Sequence, residues 1–333
     1  MDLPPLIRIL LWPLSWIYGI IARWRVFLYE NGLFKKKRLK AAVISVGNLT
    51  VGGTGKTPMV LYLAEKLLAG GKRVGILSRG YRGSAGTSDE VELLKQRLGN
   101  RVKFGVGANR FVQGSKIEKE TPVDVFLLDD GFQHLQLARD VDIVLWDGSK
   151  KMQRQWLLPA GALREPMSAI QRADILVVSR SAERPAVEAA ESRKNSVFSA
   201  RTKLIGFRKL GQNEAPSAIG ELSAGPFLAF CGLGNPAAFF SDLKNWQVEP
   251  VETITFRDHH RYSQFDVSSL LAGARQVGAA AFITTEKDEQ NLRGLDFGDF
   301  PVYVAAIEFE VSPVQEFRAE LERLLGERRG PSS

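Results

Sequence analysis

The stretch ISVGNLTVGGTGKTPMV, residues 44–60, decides the fold. An apolar run leads into a glycine-rich turn, and the turn opens a helix. The phosphate-loop consensus is G-x-x-x-x-G-K-[ST]. The aligned octet here, residues 50–57, is TVGGTGKT, so Thr50 stands where the consensus has its first glycine. The core GGTGKT remains, between a strand and a helix as the motif requires. Main-chain N–H groups of Gly52, Gly53, Thr54, Gly55, Lys56 and Thr57 would wrap phosphates, aided by the positive end of the helix. Lys56 would reach the β- and γ-phosphates, and the Thr57 hydroxyl would ligate Mg²⁺. The plain alternative is a glycine turn that caps a helix, and Gly-Lys-Thr in this context speaks against it. A guanine reader would carry Asn-Lys-x-Asp. The nearest stretch, TTEKDEQN at 284–291, puts its lysine in the wrong position, so the expected nucleotide is ATP.

Such a loop needs a carboxylate for Mg²⁺ at the end of a neighbouring strand. VDVFLLDDGFQH, residues 123–134, supplies Asp129 and Asp130 after four apolar residues. Two acids at the mouth of a buried strand are costly unless paired or on a metal. Asp-Asp-Gly is also good turn chemistry, and the sequence leaves open how the two acids share the work.

Outward from this pair, short Val/Ile/Leu runs alternate with helical patterns. Strands are predicted at 42–46, 74–78, 102–105, 125–129, 143–146, 175–179 and 197–200, with helices such as 57–69 and 90–98 between them. Such runs read as buried parallel strands. The expected class is α/β: a phosphate-loop NTPase-type, mostly parallel sheet with helices on both faces. The pattern lapses at 206–225 into Gly, Pro, Ser and Asn, read as a linker between a kinase domain at 36–205 and a smaller α/β domain at 226–333. The smaller domain is expected to close the active-site cleft.

Length and composition agree with a two-domain globular chain: 333 residues, 44% hydrophobic, 25% charged. One cysteine, Cys231, allows no internal disulfide, in keeping with a reducing compartment. Of the net charge of +8, a net of +6 lies in residues 1–40, which hold eight bases against two acids. The remainder is nearly neutral, which argues against a broad nucleic-acid-binding face. Residues 9–22, ILLWPLSWIYGIIA, carry no charge, two Trp and one Tyr, and the cluster KKKRLK follows at 35–40. The uncharged run is shorter than the ~20 residues that span a bilayer, and Pro13 interrupts it. A helix within 1–35 that lies in or dips into a membrane accounts for the aromatics and the bases. A signal peptide is disfavoured because the positive flank follows the apolar run; a core helix is the other alternative.

VGNLTVGGTGKTP, SRGY, LLDDGFQH, LLPAGALREP, FRDHH and TTEKD occur in this order. On these motifs the chain resembles the tetraacyldisaccharide 4′-kinases, the lipid A 4′-kinases of Gram-negative bacteria, from the N-terminal helix to at least Asp288. The resemblance implies Mg²⁺-dependent transfer of the ATP γ-phosphate to the 4′-hydroxyl of an acylated disaccharide 1-phosphate at the cytoplasmic face of the inner membrane. It identifies no protein partner. It implies Asp89 as proton acceptor, His259 as its partner, Arg164 for phosphate charge and Glu165 near the metal. Gln133 and Arg110 are candidates for contacts to nucleotide or lipid phosphate, and Asn48 for bracing the loop. The chain has Ser88-Asp89-Glu90-Val91 where the family commonly has Gly-Asp-Glu-Pro, so the local backbone there is in question. The plain readings are a capping box from Thr87 to Glu90, a surface turn for DHHRY, in which chemistry alone does not separate His259 from His260, and a surface ion pair for Arg164 and Glu165.

A different class of function also fits a phosphate loop behind a membrane helix: a switch or assembly ATPase without a lipid acceptor, in which Asp89 and His259 are dispensable. Gly232-x-Gly234-x-x-Ala237 after a strand, with Glu252 further on, is a passable but lone dinucleotide fingerprint.

Overall fold

A computed structural model describes residues 4–80, 88–149, 155–180, 196–212, 216–218, 220 and 225–329. Tyr81, Thr87 and much of the expected linker lie outside the described residues. In chain order the elements are α1 Pro5–Glu30, β1 Ala42–Asn48, α2 Lys56–Ala69, β2 Val74–Ser78, α3 Asp89–Leu98, β3 Val102–Val106, α4 Arg110–Glu120, β4 Val125–Asp129, β5 Val141–Asp147, β6 Ile175–Ser179 and β7 Ser196–Lys209. They continue with β8 Phe227–Cys231, α5 Pro236–Asn245, β9 Glu252–Thr255, α6 Gln264–Gln276, β10 Ala281–Thr285, α7 Glu286–Leu292, β11 Val302–Ser312 and α8 Val314–Arg329.

The chain forms two compact units that interleave in sequence. One holds residues 1–81, 98–201 and 309–333; the other holds 82–97 and 202–308. The sequence division at 206–225 lies close to the crossing after Arg201. It misses three others: the chain leaves the first unit after 81, returns at 98, and returns again after 308. Both crossings at 201 and 308 fall inside long strands, β7 and β11, where short apolar runs give no sign of a boundary. The expected linker also begins too early, because Phe207 and Arg208 are still in β7 and Phe207 is fully buried.

In the first unit the strand order is β3-β2-β4-β1-β5-β6-β7, and the neighbours pair in parallel. The central strands β1, β4, β5 and β6 are buried at every position, which is why they read as continuous apolar runs. Each fully buried Ile, Leu or Val among them contributes roughly 1.5–3 kcal/mol. In the second unit the order is β11-β10-β8-β9, again parallel. Its core gathers Phe230, Phe282, Tyr262, Val267 and Leu270.

Helix α1 is longer than the apolar run suggests and continues through Pro13. One missing main-chain bond, worth about 3 kcal/mol in a helix interior, is spread over 26 residues. One face is seated on the first unit. Ser15 Oγ donates to Leu157 O at 3.0 Å and accepts from Ala160 N at 2.9 Å, and Tyr18 OH donates to Arg164 O at 2.8 Å. The rest is apolar and exposed, with Leu6 at 78%, Leu10 at 77% and Trp16 at 61%. By length and composition the segment Leu6–Glu30 could cross a membrane, with a mean hydropathy of 1.4 and 11% of it buried.

Candidate active site

The phosphate loop of the first unit is built from consecutive residues at the end of β1. Asn48 is fully buried, and its Nδ2 donates to Thr54 Oγ1 at 2.8 Å and to Gly52 O at 3.4 Å. One amide thus fixes the loop from inside. Gly52 and Gly55 take φ of +104° and +91°, the region that glycine enters without strain. Gly53 faces open space. Lys56 and Thr57 form the first turn of α2, so their N–H groups and the helix dipole point into the loop. Thr50, at the position of the first consensus glycine, is buried, and its main chain bridges Leu163 in antiparallel fashion. The LLPAGALREP segment is laced alongside: Val51 N donates to Ala162 O, and Arg164 N to Leu49 O.

The two aspartates divide. Asp129 ends β4, is buried, and faces Ser78 Oγ at 3.4 Å. Asp130 leaves the strand at φ +48°, and its carboxylate lies 2.7 Å from Arg164 Nη1 and 3.6 Å from Lys56 Nζ. Burial pushes the Asp130 carboxyl up, but Lys56 and Arg164 outweigh it and hold the group below its ordinary value. Gln133 Nε2 donates to Asn48 O at 3.0 Å. Arg110, buried, lies 3.4 Å from His134 Nδ1. Burial and then the Arg110 charge push the His134 imidazole down to about 4, so it is neutral beside the arginine.

Glu165, assigned to the metal by the sequence reading, has another partner here. It is buried, and its Oε2 meets Arg172 Nη2 at 2.6 Å, while the Arg172 guanidinium lies over the Phe132 ring at 4.5 Å. A carboxylate out of water needs a countercharge, and Arg172 is one the motif reading missed.

Hard oxygen donors suit Mg²⁺, which keeps several waters and takes one or two protein ligands plus substrate phosphates. The Thr57 hydroxyl and the Asp129 carboxylate fit that description. Among the described residues there is no cluster of three or more His, Cys, Asp or Glu of the kind a dedicated protein cage would need.

A separate cluster of candidate residues lies wholly in the second unit. Asp89 is the first residue of α3, and Ser88 Oγ accepts from Val91 N at 3.4 Å. Ser88 thus caps the start of α3, which leaves the Asp89 carboxylate for another partner. His259 stands at φ +57° and brings Nδ1 to 3.0 Å from Asp89 Oδ2. His260 turns the other way: it stacks on Phe256 at 4.7 Å and meets Asp266 at 3.3 Å. Burial raises the Asp89 carboxyl, but hydrogen bonds from His259 and Asn291 reverse this and hold it low. The hydrogen bond to Asp89 raises His259.

The dinucleotide fingerprint dissolves in the structure. A side chain at Gly232 would come within 3.1 Å of Asp288 Oδ1 and 3.2 Å of Arg257 O, and its N–H donates to Asp288 at 2.8 Å. The glycine is needed for this close approach inside the protein.

A family model described as tetraacyldisaccharide-1-P 4′-kinase matches residues 7–326. A tetraacyldisaccharide 4′-kinase of Geobacter metallireducens is 37% identical over 96% of this chain and 99% of its own. That of Shewanella halifaxensis is 33% identical over 97% and 96%. A crystal structure of LpxK from Aquifex aeolicus in complex with ATP superposes with a TM-score of 0.76 at 32% identity, over 96% of this chain and 100% of that one.

Proposed function

The chain belongs to the tetraacyldisaccharide-1-phosphate 4′-kinase family, and from this premise we propose that it transfers the γ-phosphate of ATP to the 4′-hydroxyl of an acylated disaccharide 1-phosphate in lipid A biosynthesis. The observation that carries the reading is the Asp89–His259 pair at 3.0 Å. A switch ATPase has no acceptor hydroxyl and no use for a carboxylate held by an imidazole.

Phosphoryl transfer is mostly positioning and charge neutralisation. Residues 52–57 cradle the phosphates and Lys56 meets the β- and γ-oxygens. Asp130 and Arg164 hold the Lys56 ammonium in reach, and Arg110 adds positive charge nearby. Thr57 and Asp129 would hold Mg²⁺, which supplies neutralisation of phosphate charge when bound. Glu165 serves through Arg172 and Gln133 by bracing the end of β1. As the acceptor oxygen bonds to the γ-phosphorus and the bond to ADP breaks, the hydroxyl proton passes to Asp89, whose hydrogen bond to His259 shares it.

The lipid substrate stays in a bilayer, so the enzyme must work at its surface. Helix α1 supports docking there: one face is bonded to residues 157–164, and the other offers Leu6, Leu10, Trp12 and Trp16 to hydrocarbon, with Lys35–Lys40 against anionic headgroups. On this reading the enzyme works at the cytoplasmic face of the inner membrane.

The test uses γ-labelled ATP, Mg²⁺ and tetraacyldisaccharide 1-phosphate in detergent, with Asp89→Ala alongside. Label in the lipid, lost in the variant, is expected. Label only in free phosphate, indifferent to lipid and to Asp89, would move the assignment to the ATPase. Flotation with anionic vesicles checks docking: Trp12→Ser with Trp16→Ser should reduce the bound fraction severalfold, and undiminished binding would refute this role for α1.

A further inference from the structure

The TTEKD segment carries a lysine that the reaction as derived so far does not use. Thr285 caps α7 and donates to Asp288 at 2.6 Å; Asp288 in turn accepts from Gly232 N and from Tyr262 OH. The start of α7 is thereby fixed to the core of the second unit. From that fixed turn Lys287 extends Nζ to 3.1 Å from Asp258 and 3.3 Å from Glu90. One turn further along, Asn291 hydrogen-bonds Asp89. Residues four apart share a helix face, so α7 presents both to the proton-accepting pair.

The surroundings of His259 explain what the lysine is for. Asp89 lies at Nδ1. At Nε2 stand Glu90 at 3.7 Å and Asp258 at 3.8 Å. Three carboxylates from α3 and from the turn after β9 thus face one imidazole, and the only cation bound to them among the described ion pairs is Lys287. An imidazole under three unscreened carboxylates would keep its proton at any working pH. It could then no longer help Asp89 to take up another.

Resting on the assignment of Asp89 and His259 as the proton-accepting pair, we infer that Lys287 is a positioning residue for it: its ammonium, held between Glu90 and Asp258, cancels the two carboxylates at the far nitrogen of His259, so that the imidazole answers to Asp89 alone. The direction of the charge effects agrees. After the hydrogen bond to Asp89 and the opposing cost of burial, Lys287 lowers His259 while Glu90 and Asp258 raise it.

Two substitutions of opposite sign test this in the full-length protein in detergent. Lys287→Met removes the ammonium and keeps the length of the side chain; Glu90→Gln removes one carboxylate. The His259 ring protons are followed by NMR against pH, assigned through His259→Gln, beside the pH profile of kcat/KM for lipid phosphorylation. In Lys287→Met the His259 midpoint and the acid limb of the profile should both rise, by about one pH unit. In Glu90→Gln both should fall, and Lys287→Arg should restore both. A purely structural lysine would lower the rate equally at every pH and leave the His259 titration in place, which would overturn the inference. A His259 midpoint that moves while the acid limb stays put would instead overturn the pair as proton acceptor. Should Lys287→Met fail to fold, Glu90→Gln decides by its opposite sign.

Discussion

The phosphate cluster of the first unit and the proton-accepting cluster of the second reach their chemistry by opposite routes. The phosphate loop at the heart of the first cluster spans ten consecutive residues, from Asn48 to Thr57, held by one buried amide and two left-handed glycines. The proton half is assembled from three distant segments, around residues 89, 259 and 287. Each half has a histidine, and the two are driven apart. Burial and Arg110 keep His134 neutral, down to about 4, whereas Asp89 favours the charged form of His259. Binding of an anion can be written into a short backbone path. Acceptance of a proton depends on side chains whose charges balance only after folding.

The sharpest way to break this division is a pair of substitutions with different signatures. Lys56→Ala should reduce turnover on the order of 10³-fold and weaken ATP binding as well, because the ammonium meets phosphates in the ground and transition states alike. Asp89→Asn should reduce kcat on the order of 10²–10⁴-fold and leave ATP affinity at wild type. Calorimetric titration with ATP beside steady-state rates separates the two. If Asp89→Asn weakened ATP binding as Lys56→Ala does, the halves would not be independent and the proton role of Asp89 would fall.

The second unit relies on buried ion pairs to carry α3, and with it Asp89. Arg97 meets Glu286 at 2.8 Å, Arg208 grips Glu289, and Gln96 reaches Glu289 at 3.4 Å. The Arg208 and Glu289 side chains are 8% and 1% exposed. Glu289→Gln would leave Arg208 short of its main countercharge out of water. Breaking such a pair from one side costs about 3–5 kcal/mol, to be read in a denaturant midpoint. A loss under about 1 kcal/mol, the range of a surface pair, would mean that the network does not hold the helix.

What the sequence disclosed follows the same division. Buried parallel strands print themselves as apolar runs, and the phosphate loop as consecutive residues, so fold class and cradle were legible. Helix α4, with Lys116 and Lys119 among its exposed positions, lacks a clear apolar stripe, and α7 is only seven residues long; neither stood out. The return of α8 to the first unit could not be read, because packing partners far along the chain leave no local pattern. Resemblance supplied Asp89 and His259 as partners, but Lys287 and Arg172 were invisible as charges in motifs with no stated partner. The countercharge of Glu165 was hidden for the same reason: a lone acid after LLPAGALR gives no hint that an arginine seven residues on will pair with it.

The smallest effect tests the two histidines against each other through stability. His134 has its folded value depressed from 6.5 to about 4. Its contribution is therefore complete above 6.5 and is lost as pH falls through that window, because the unfolded chain takes up the proton first. His259 is raised, so its contribution is complete below 6.5 and is lost as pH rises through its folded value. Allowing for partial exposure of its ring, His134 is worth at most about 2 kcal/mol, and the half-exposed His259 contributes in the opposite direction. Melting temperatures across pH 4–8 would be compared for wild type, His134→Asn and His259→Gln. Relative to wild type, His134→Asn should flatten the acid side of the profile and His259→Gln the alkaline side. Both variants flattening the same side would mean that the two imidazoles titrate in one direction, and the contrast between a neutral phosphate half and a charged proton half would not survive it.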